Sequence, residues 1–319
     1  MHAAIVSAFD KPPRYGSFED PVAAEGERMV TVTAAGLHPI VRALANGTHY
    51  GSTGELPCIP GVDGVGRLED GTRVYFGISR KPFGTFSERA PAASWMCLPL
   101  PDGIDDVTAA GIANPAMSSW VALMARAMFV AGESVLILGA TGVAGQLAVQ
   151  IAKRLGAGRV IAAGRNPRAL EKLQTLGADA TVSLDLEHTA LVSALRRELE
   201  AGVNVVLDYL WGSPAESLIE AISQKGLSHA ASRIRFIQIG SSAGSSIKLP
   251  AAALRSSGIE LLGSGFGSAS LEQILQAVAR FFREAAQQPL QFTPKAAPLR
   301  DVEALWNSPE QGVRLVFQP

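Results

Sequence analysis

The sequence predicts an α/β chain in which a doubly wound, six-stranded parallel sheet follows a β-rich region. Three observations predict it. Strand and helix patterns alternate from residue 115 to about residue 262. In that stretch a glycine-rich turn joins a short buried apolar run to an amphipathic helix. Residues 1–112, by contrast, carry short apolar runs broken by Gly and Pro.

Strands in the first region are expected at 3–8, 29–34, 71–76 and 87–90. In the alternating region strands are expected at 134–139, 159–164, 179–184, 203–209, 233–240 and 259–264, with helices at 142–155, 167–177, 188–201 and 214–225. Six strands match two mononucleotide-binding halves. A further helix is expected at 271–286, followed by Pro-containing extended pieces and a last strand within 312–319 that returns to the first region. The expected domains are therefore 1–114, completed by 265–319, and 115–264 between them.

Composition narrows the function classes. Of 319 residues, 47% are hydrophobic and 18% charged, which supplies core material and argues against disorder. A formal net charge of −1 gives no electrostatic case for nucleic acid or an anionic membrane. Cys58 and Cys97 are too few for a disulfide framework or a cysteine-built zinc site. The N-terminal apolar run follows no basic segment, so no secretory signal is read, and no apolar stretch reaches membrane-spanning length. A cytoplasmic location is expected.

The glycine turn carries the chemistry. Val135 to Leu138 is the apolar run, and Gly139, Gly142 and Gly145 follow at the spacing of a strand-to-helix phosphate turn. Apolar residues then recur on one helical face up to Leu155, and Gly156 stands where a C-cap belongs. Thr141, Gly142, Val143 and Ala144 are expected to offer backbone N–H groups to a dinucleotide pyrophosphate. The second strand ends at Gly164-Arg165-Asn166. An acidic residue here would accept from a ribose 2′-hydroxyl, whereas a guanidinium can pair with a phosphate. NADPH is thus the expected cofactor, with Arg165 on the 2′-phosphate and Asn166 and Arg168 as helpers. The alternative for Arg165 is a solvated loop residue.

Several segments carry a family resemblance. Ala35-Gly-Leu-His-Pro-Ile40, Ile59-Pro-Gly-Val-Asp-Gly-Val-Gly66, Gly84-Thr-Phe-Ser-Glu-Arg-Ala90, the junction Asn114-Pro-Ala-Met-Ser-Ser-Trp-Val-Ala-Leu123 and Leu176-Gly-Ala-Asp179 stand in order around the mid-chain glycine turn. The whole chain resembles the medium-chain dehydrogenase/reductase superfamily, and most of all its zinc-free quinone oxidoreductase branch. The resemblance implies a GroES-like catalytic domain with an inserted Rossmann domain. It places Gly240 and Ser241 beside the bridge of the cofactor, Gly265 and Phe266 near the nicotinamide carboxamide, and Ser118 at the nicotinamide phosphate. Zinc-binding members supply Cys, His and a further Cys or carboxylate. Here the matching positions are His38, Val62 and the 113–115 junction, so no metal is expected.

The branch has Asn where this chain has His38 and Asp where it has Val41, and a Tyr where this chain has His49 beside Tyr50. The catalytic candidates are therefore Tyr50, His49 and His38. Reduction by hydride builds negative charge on an acceptor oxygen, and a nearby donor lowers the barrier. Tyr50 is the first choice for that donor, or else a partly buried aromatic in a Gly-rich loop. His49 can do the same, or be a solvated loop histidine. His38, in a turn before Pro39, can face cofactor or substrate, or bond the local backbone. Gly240-Ser-Ser-Ala-Gly244 matches a nucleophile-elbow pattern, but residues 245–250 do not read as the helix it needs and no His lies beyond His229.

The expected activity is NADPH-dependent reduction of a quinone. The alternatives are reduction of an α,β-unsaturated carbonyl (enal, enone or enoyl thioester) and a weakly active NADPH-binding sensor. The partner is then a small molecule, with neither nucleic acid nor membrane involved. A homodimer is expected through the apolar edge strand 258–263.

Overall fold

The computed structural model describes residues 1–223, 232–265, 267–309 and 312–319. The chain divides into two compact units, Met1–Pro115 with Val278–Pro319, and Ala116–Ala277.

The second unit is the parallel sheet. Its strands run in the order Ala180–Ser183, Arg159–Gly164, Ser134–Leu138, Val205–Asp208, Arg233–Gln238, Gly258–Gly263. Every pairing is parallel. In chain order this is 3-2-1-4-5-6, the doubly wound Rossmann arrangement, whose switch point lies between the first and fourth strands. The strands are short apolar runs because the inner four are covered on both faces: Val135 to Leu138, Val160 to Ala163 and Val205 to Leu207 are all fully buried. Helices Val143–Arg154, Pro167–Thr175, His188–Glu200 and Gly212–Ile222 follow the first four strands. They begin and end within a few residues of the expected bounds, although the expected helix 214–225 extends into residues outside the described set. Gly156 takes a φ of +90° after the first of these helices, a conformation natural to glycine. Residues 245–250 form no helix, and the next one is Ala251–Arg255.

The first unit is built on a largely antiparallel sheet. Its path is Lys295–Pro298, Leu315–Gln318, Glu27–Gly36, Asp63–Leu68, Arg73–Gly77, Leu98–Pro99, with Arg89–Ala93 also paired to Glu27–Gly36. A separate hairpin joins His2–Ile5 to Arg14–Ser17. The C-terminal strand pairs antiparallel with Glu27–Gly36 through Val316 with Gly36 and Phe317 with Ala35. Phe86 packs edge-on against Phe317 and Trp306, so the returning tail completes a core begun by the first hundred residues.

Several elements depart from the sequence reading, among them strand Arg14–Ser17 and helix Asp106–Val121, whose bounds it did not assign. No strand is expected over residues 59–66, yet Asp63–Leu68 is an inner strand. Its glycines permit close backbone approach: a Cβ on Gly66 would lie 2.3 Å from the Thr31 carbonyl oxygen. The turn expected around His38 instead opens helix Pro39–Ala45, with His38 as its N-cap and Pro39 in the first turn.

Candidate functional site

In the Rossmann unit the apolar strand Ser134–Leu138 runs into Gly139, whose φ of +85° favours glycine. The amides of Gly139 and Ala140 donate to the Ala163 carbonyl at 3.0 and 2.9 Å, which ties the turn to the second strand. Gly142 caps helix Val143–Arg154 in an extended conformation, and no side chain caps that end. Gln146 Nε2 donates to the Thr141 carbonyl at 3.0 Å, steadying the turn from inside. A Cβ on Gly145 would lie 2.4 Å from the Gly139 carbonyl oxygen, and one on Gly164 would lie 2.4 Å from Thr141 Cγ2. Neither position tolerates a larger residue without moving the turn. Thr141, Gly142, Val143, Ala144 and Gly164 are therefore brought together, around a helix N-terminus whose amides and dipole suit an anion.

Beyond Gly164, Arg165 and Arg168 are exposed and line an open depression with Asn166, Pro167 and Asp185. Asn166 Oδ1 accepts from Ala169 N at 3.1 Å, capping helix Pro167–Thr175. That oxygen is committed to the helix, which leaves the Asn166 amide NH2 for a ligand. The first turn of this helix holds no acidic residue. Two guanidiniums at a helix N-terminus add to the positive potential there instead of cancelling it. Asp185, which sequence reasoning did not single out, is the one carboxylate in the lining.

The ends of the fourth and fifth strands are knotted together. The amides of Ile239 and Gly240 donate to the Asp208 carbonyl at 2.8 and 3.1 Å. A Cβ on Gly240 would lie 2.7 Å from the Tyr209 carbonyl oxygen, so glycine is needed for the strands to meet. Ser241 is exposed at this bend. Gly265 N donates to Ser268 Oγ at 2.7 Å in a closed turn, and Phe266 lies outside the described residues.

Two groups here were missed from sequence. Tyr209, the residue after the fourth strand, places its hydroxyl 3.2 Å from Ser118 Oγ. Burial pushes this phenol up to about 12. Asp208 is fully buried, with Oδ1 accepting from the amides of Leu210 at 2.8 Å and Trp211 at 3.0 Å. Its Oδ2 has no hydrogen-bond partner among the described residues. Loss of water outweighs the two amide bonds and pushes the carboxyl up to about 6. The signal was an acid closing an apolar run, which reads more readily as a strand end.

In the first unit the catalytic candidates separate. Tyr50 is 77% exposed and its ring lies 4.1 Å from that of His49, so it is not the partly buried aromatic of the alternative reading. His49 Nδ1 accepts from Gly51 N at 3.0 Å, which leaves its proton on Nε2. Burial lowers the His49 pKa and favours this neutral form. His38, by contrast, is fully buried. Its Nε2 lies 3.4 Å from Asp63 Oδ1, while Tyr75 donates to Asp63 Oδ2 at 2.8 Å and Thr85 to the Asp63 carbonyl at 2.9 Å. Burial, and then the neighbouring Asp63 charge, holds the Tyr75 phenol well above its usual range. Gly36 makes room for the imidazole, since a Cβ there would lie 2.5 Å from His38 Nε2. His38 is thus an interior residue, and neither of its ring nitrogens has a hydrogen-bond partner among the described residues.

Residues 143–282 match the zinc-binding dehydrogenase family. A probable NADPH-dependent quinone reductase of Emericella nidulans is 27% identical over the full length of both chains. A chloroplastic NADPH-dependent alkenal/one oxidoreductase of Arabidopsis thaliana is 28% identical over 53% of this chain and 47% of its own length. The quinone oxidoreductase of Thermus thermophilus, whose structures include a complex with NADPH, superposes with a TM-score of 0.80 at 25% identity over the whole of both chains. The chain belongs to the medium-chain dehydrogenase/reductase superfamily, in its quinone oxidoreductase-like group.

For a member of this superfamily the fit to zinc has to be tested on the donors. Val62 has no ligating atom, and His38 already faces Asp63 in the interior. Among the described residues no group of three or more His, Cys, Asp or Glu could hold a metal ion. This donor set does not fit a catalytic zinc. No helix among the described residues is long and apolar enough to cross a membrane.

Asp208 gives this reductase a pH signature. Its carboxyl holds a proton more tightly when folded than when unfolded, so its contribution to stability is complete below pH about 4 and is lost as pH rises through about 6. Unfolding by urea at several pH values should show the difference in stability between Asp208→Asn and the parent protein moving in favour of the variant, by up to about 3 kcal/mol between pH about 4 and about 8. A difference that stays flat with pH would remove the buried, uncompensated carboxylate.

Proposed function

We propose that this medium-chain reductase transfers hydride from NADPH to a quinone. The observation that carries the reading is the arginine-lined depression at the end of the second strand, next to an uncapped helix N-terminus at a glycine turn. Bound NADPH supplies the hydride. The backbone amides of Thr141, Val143 and Ala144 hold the pyrophosphate, with Gly142, whose own amide donates to the Gly139 carbonyl at 3.2 Å, allowing its close approach. Arg165 and Arg168 take the 2′-phosphate, with the Asn166 amide and the Gly164 backbone beside them. Gly240, Ser241, Gly265, Phe266 and Ser118 serve the remainder of the cofactor.

On the acceptor side the chain has to stabilise a developing oxyanion. Tyr50 is the proposed donor, and the neutral imidazole of His49, carrying its proton on Nε2, is the neighbour able to share the task. The relative in Arabidopsis favours a second reading of the acceptor as an α,β-unsaturated carbonyl. Both acceptors take hydride at a conjugated, activated position, so the cofactor site serves either. A cytoplasmic location belongs to the same proposal.

The deciding experiment is a survey of NADPH and NADH oxidation by the purified protein against several quinones and several enals. Turnover with NADPH and quinones is expected. Turnover with enals alone would replace the quinone by the second reading. No turnover, with NADPH still raising the melting temperature, would leave a sensor in place of an enzyme.

Arg165→Ala should weaken NADPH binding by about 1.5–3 kcal/mol, the worth of a hydrogen bond to a charged group, and leave NADH nearly unchanged. Equal losses for both cofactors would make Arg165 a structural residue.

The sheet ends at Gly258–Gly263, an apolar strand whose outer side pairs with no other strand among the described residues. We propose that it pairs with its copy in a homodimer. Light scattering at micromolar concentration should return twice the chain mass of 33.4 kDa. A monomer would rule the pairing out.

A further inference from the structure

We propose that Tyr209, held by Ser118, is a cofactor-binding residue for the nicotinamide half of NADPH, its hydroxyl donating to an oxygen of the nicotinamide-side ribose phosphate. This rests on the reading of the Rossmann unit as the NADPH site. The strand order supplies the direction. Arg165 and Arg168 lie beyond the second strand, Arg159–Gly164, on one side of the first strand. A dinucleotide with its 2′-phosphate there and its pyrophosphate over the Gly139–Gly142 turn has to continue across the fourth strand, Val205–Asp208, on the other side. Tyr209 is the first residue past that strand.

Tyr209 is anchored at this switch point from three directions. Its amide donates to the Leu138 carbonyl at 3.2 Å, so it leaves the sheet beside the residue that opens the glycine turn. Its carbonyl accepts from Ser242 Oγ at 3.0 Å, next to the Gly240–Ser241 bend. Its hydroxyl pairs with Ser118. A Cβ on Gly139 would lie 3.3 Å from Tyr209 Cβ, and the Gly240 backbone packs against the Tyr209 carbonyl. The Tyr209 backbone and Cβ are thus set between the two glycine bends that the proposed cofactor path crosses, and the hydroxyl extends to Ser118. Burial keeps it protonated, and therefore a donor, across the physiological range.

The test uses two ligands that share one half. NADPH carries the nicotinamide side, whereas adenosine 2′,5′-bisphosphate carries only the end that Arg165 reads. Titration calorimetry of both, with fluorescence emission of bound NADPH, is compared for the parent protein, Tyr209→Phe and Ser118→Ala. Tyr209→Phe should raise the NADPH Kd about three- to ten-fold, the loss of one hydrogen bond. It should also shift the emission of the bound reduced nicotinamide and leave adenosine 2′,5′-bisphosphate unchanged. Ser118→Ala should move the same two readouts in the same direction by less. If Tyr209→Phe weakens both ligands equally, or changes neither NADPH affinity nor emission, the proposal is overturned. If the parent protein binds neither ligand, the NADPH reading itself fails.

Discussion

The approach of helix Val143–Arg154 to the turn before it is the constraint on which the rest of the Rossmann unit depends. Glycine at 145 lets the helix lie on the Gly139 carbonyl, and glycine at 164 lets the second strand end against Thr141. Each contact sits far inside the distance a side chain could accept. Together they bring the ends of two strands and the start of one helix within a single turn. The helix N-terminus and the arginine pair then lie at neighbouring strand ends without any further device. The same logic recurs at Gly240, where the fifth strand has to reach the backbone of the fourth. Small residues here are a condition of strand-end convergence, and the anion-binding character follows from that convergence.

How legible this was depended on whether the signal was local. The alternation of buried strands and amphipathic helices was readable because both faces of an inner parallel strand are covered, so residues 135–138 and 160–163 show as continuous apolar runs. Asp63–Leu68 was not, because an inner strand that needs close approach is written in glycine and looks like a turn. The cap at Asn166 was available in principle, since Asn followed by Pro and a helical run is a start signal in its own right. Its oxygen is spent on the helix, which a reading focused on ligands passed over. The burial of His38 was not legible either, because a histidine in a turn before a proline does not show that Gly36 makes room for its ring or that Asp63, distant in the chain, lies beside it. Tyr209 and Ser118 lie 91 residues apart and meet only in the fold.

The two buried carboxylates show what position does to the same group. Asp63 receives the Tyr75 hydroxyl on Oδ2, and its Oδ1 lies 3.4 Å from His38 Nε2. Asp208 has two amides on one oxygen and, among the described residues, no partner on the other. Two hydrogen bonds to a carboxylate normally favour ionisation, yet here dehydration prevails. What Asp208 provides in return is geometry. Its oxygen turns the chain sharply through Leu210 and Trp211, the latter at a φ of +56°, into helix Gly212–Ile222. A non-glycine residue in that conformation carries strain, and the two amide bonds are what hold it there.

The arginine depression follows a different rule because it is open to water. An exposed ion pair contributes little, typically below about 1 kcal/mol, so attraction by itself would discriminate weakly between a phosphorylated and an unphosphorylated ribose. Asp185 reduces the net charge of the lining further. Discrimination has to come from the fork geometry of a guanidinium on a phosphate, from the helix N-terminus behind it, and from what a neutral ligand would leave unmatched. Arg165 and Arg168 sit at a helix start where no acidic side chain answers the dipole, and a ligand carrying a dianion satisfies all three positive features at once. A ribose hydroxyl can accept a hydrogen bond from one of them but brings no charge to any. On the proposed reading, selectivity for the phosphorylated cofactor is therefore a property of the helix end together with its arginines, and neither alone accounts for it.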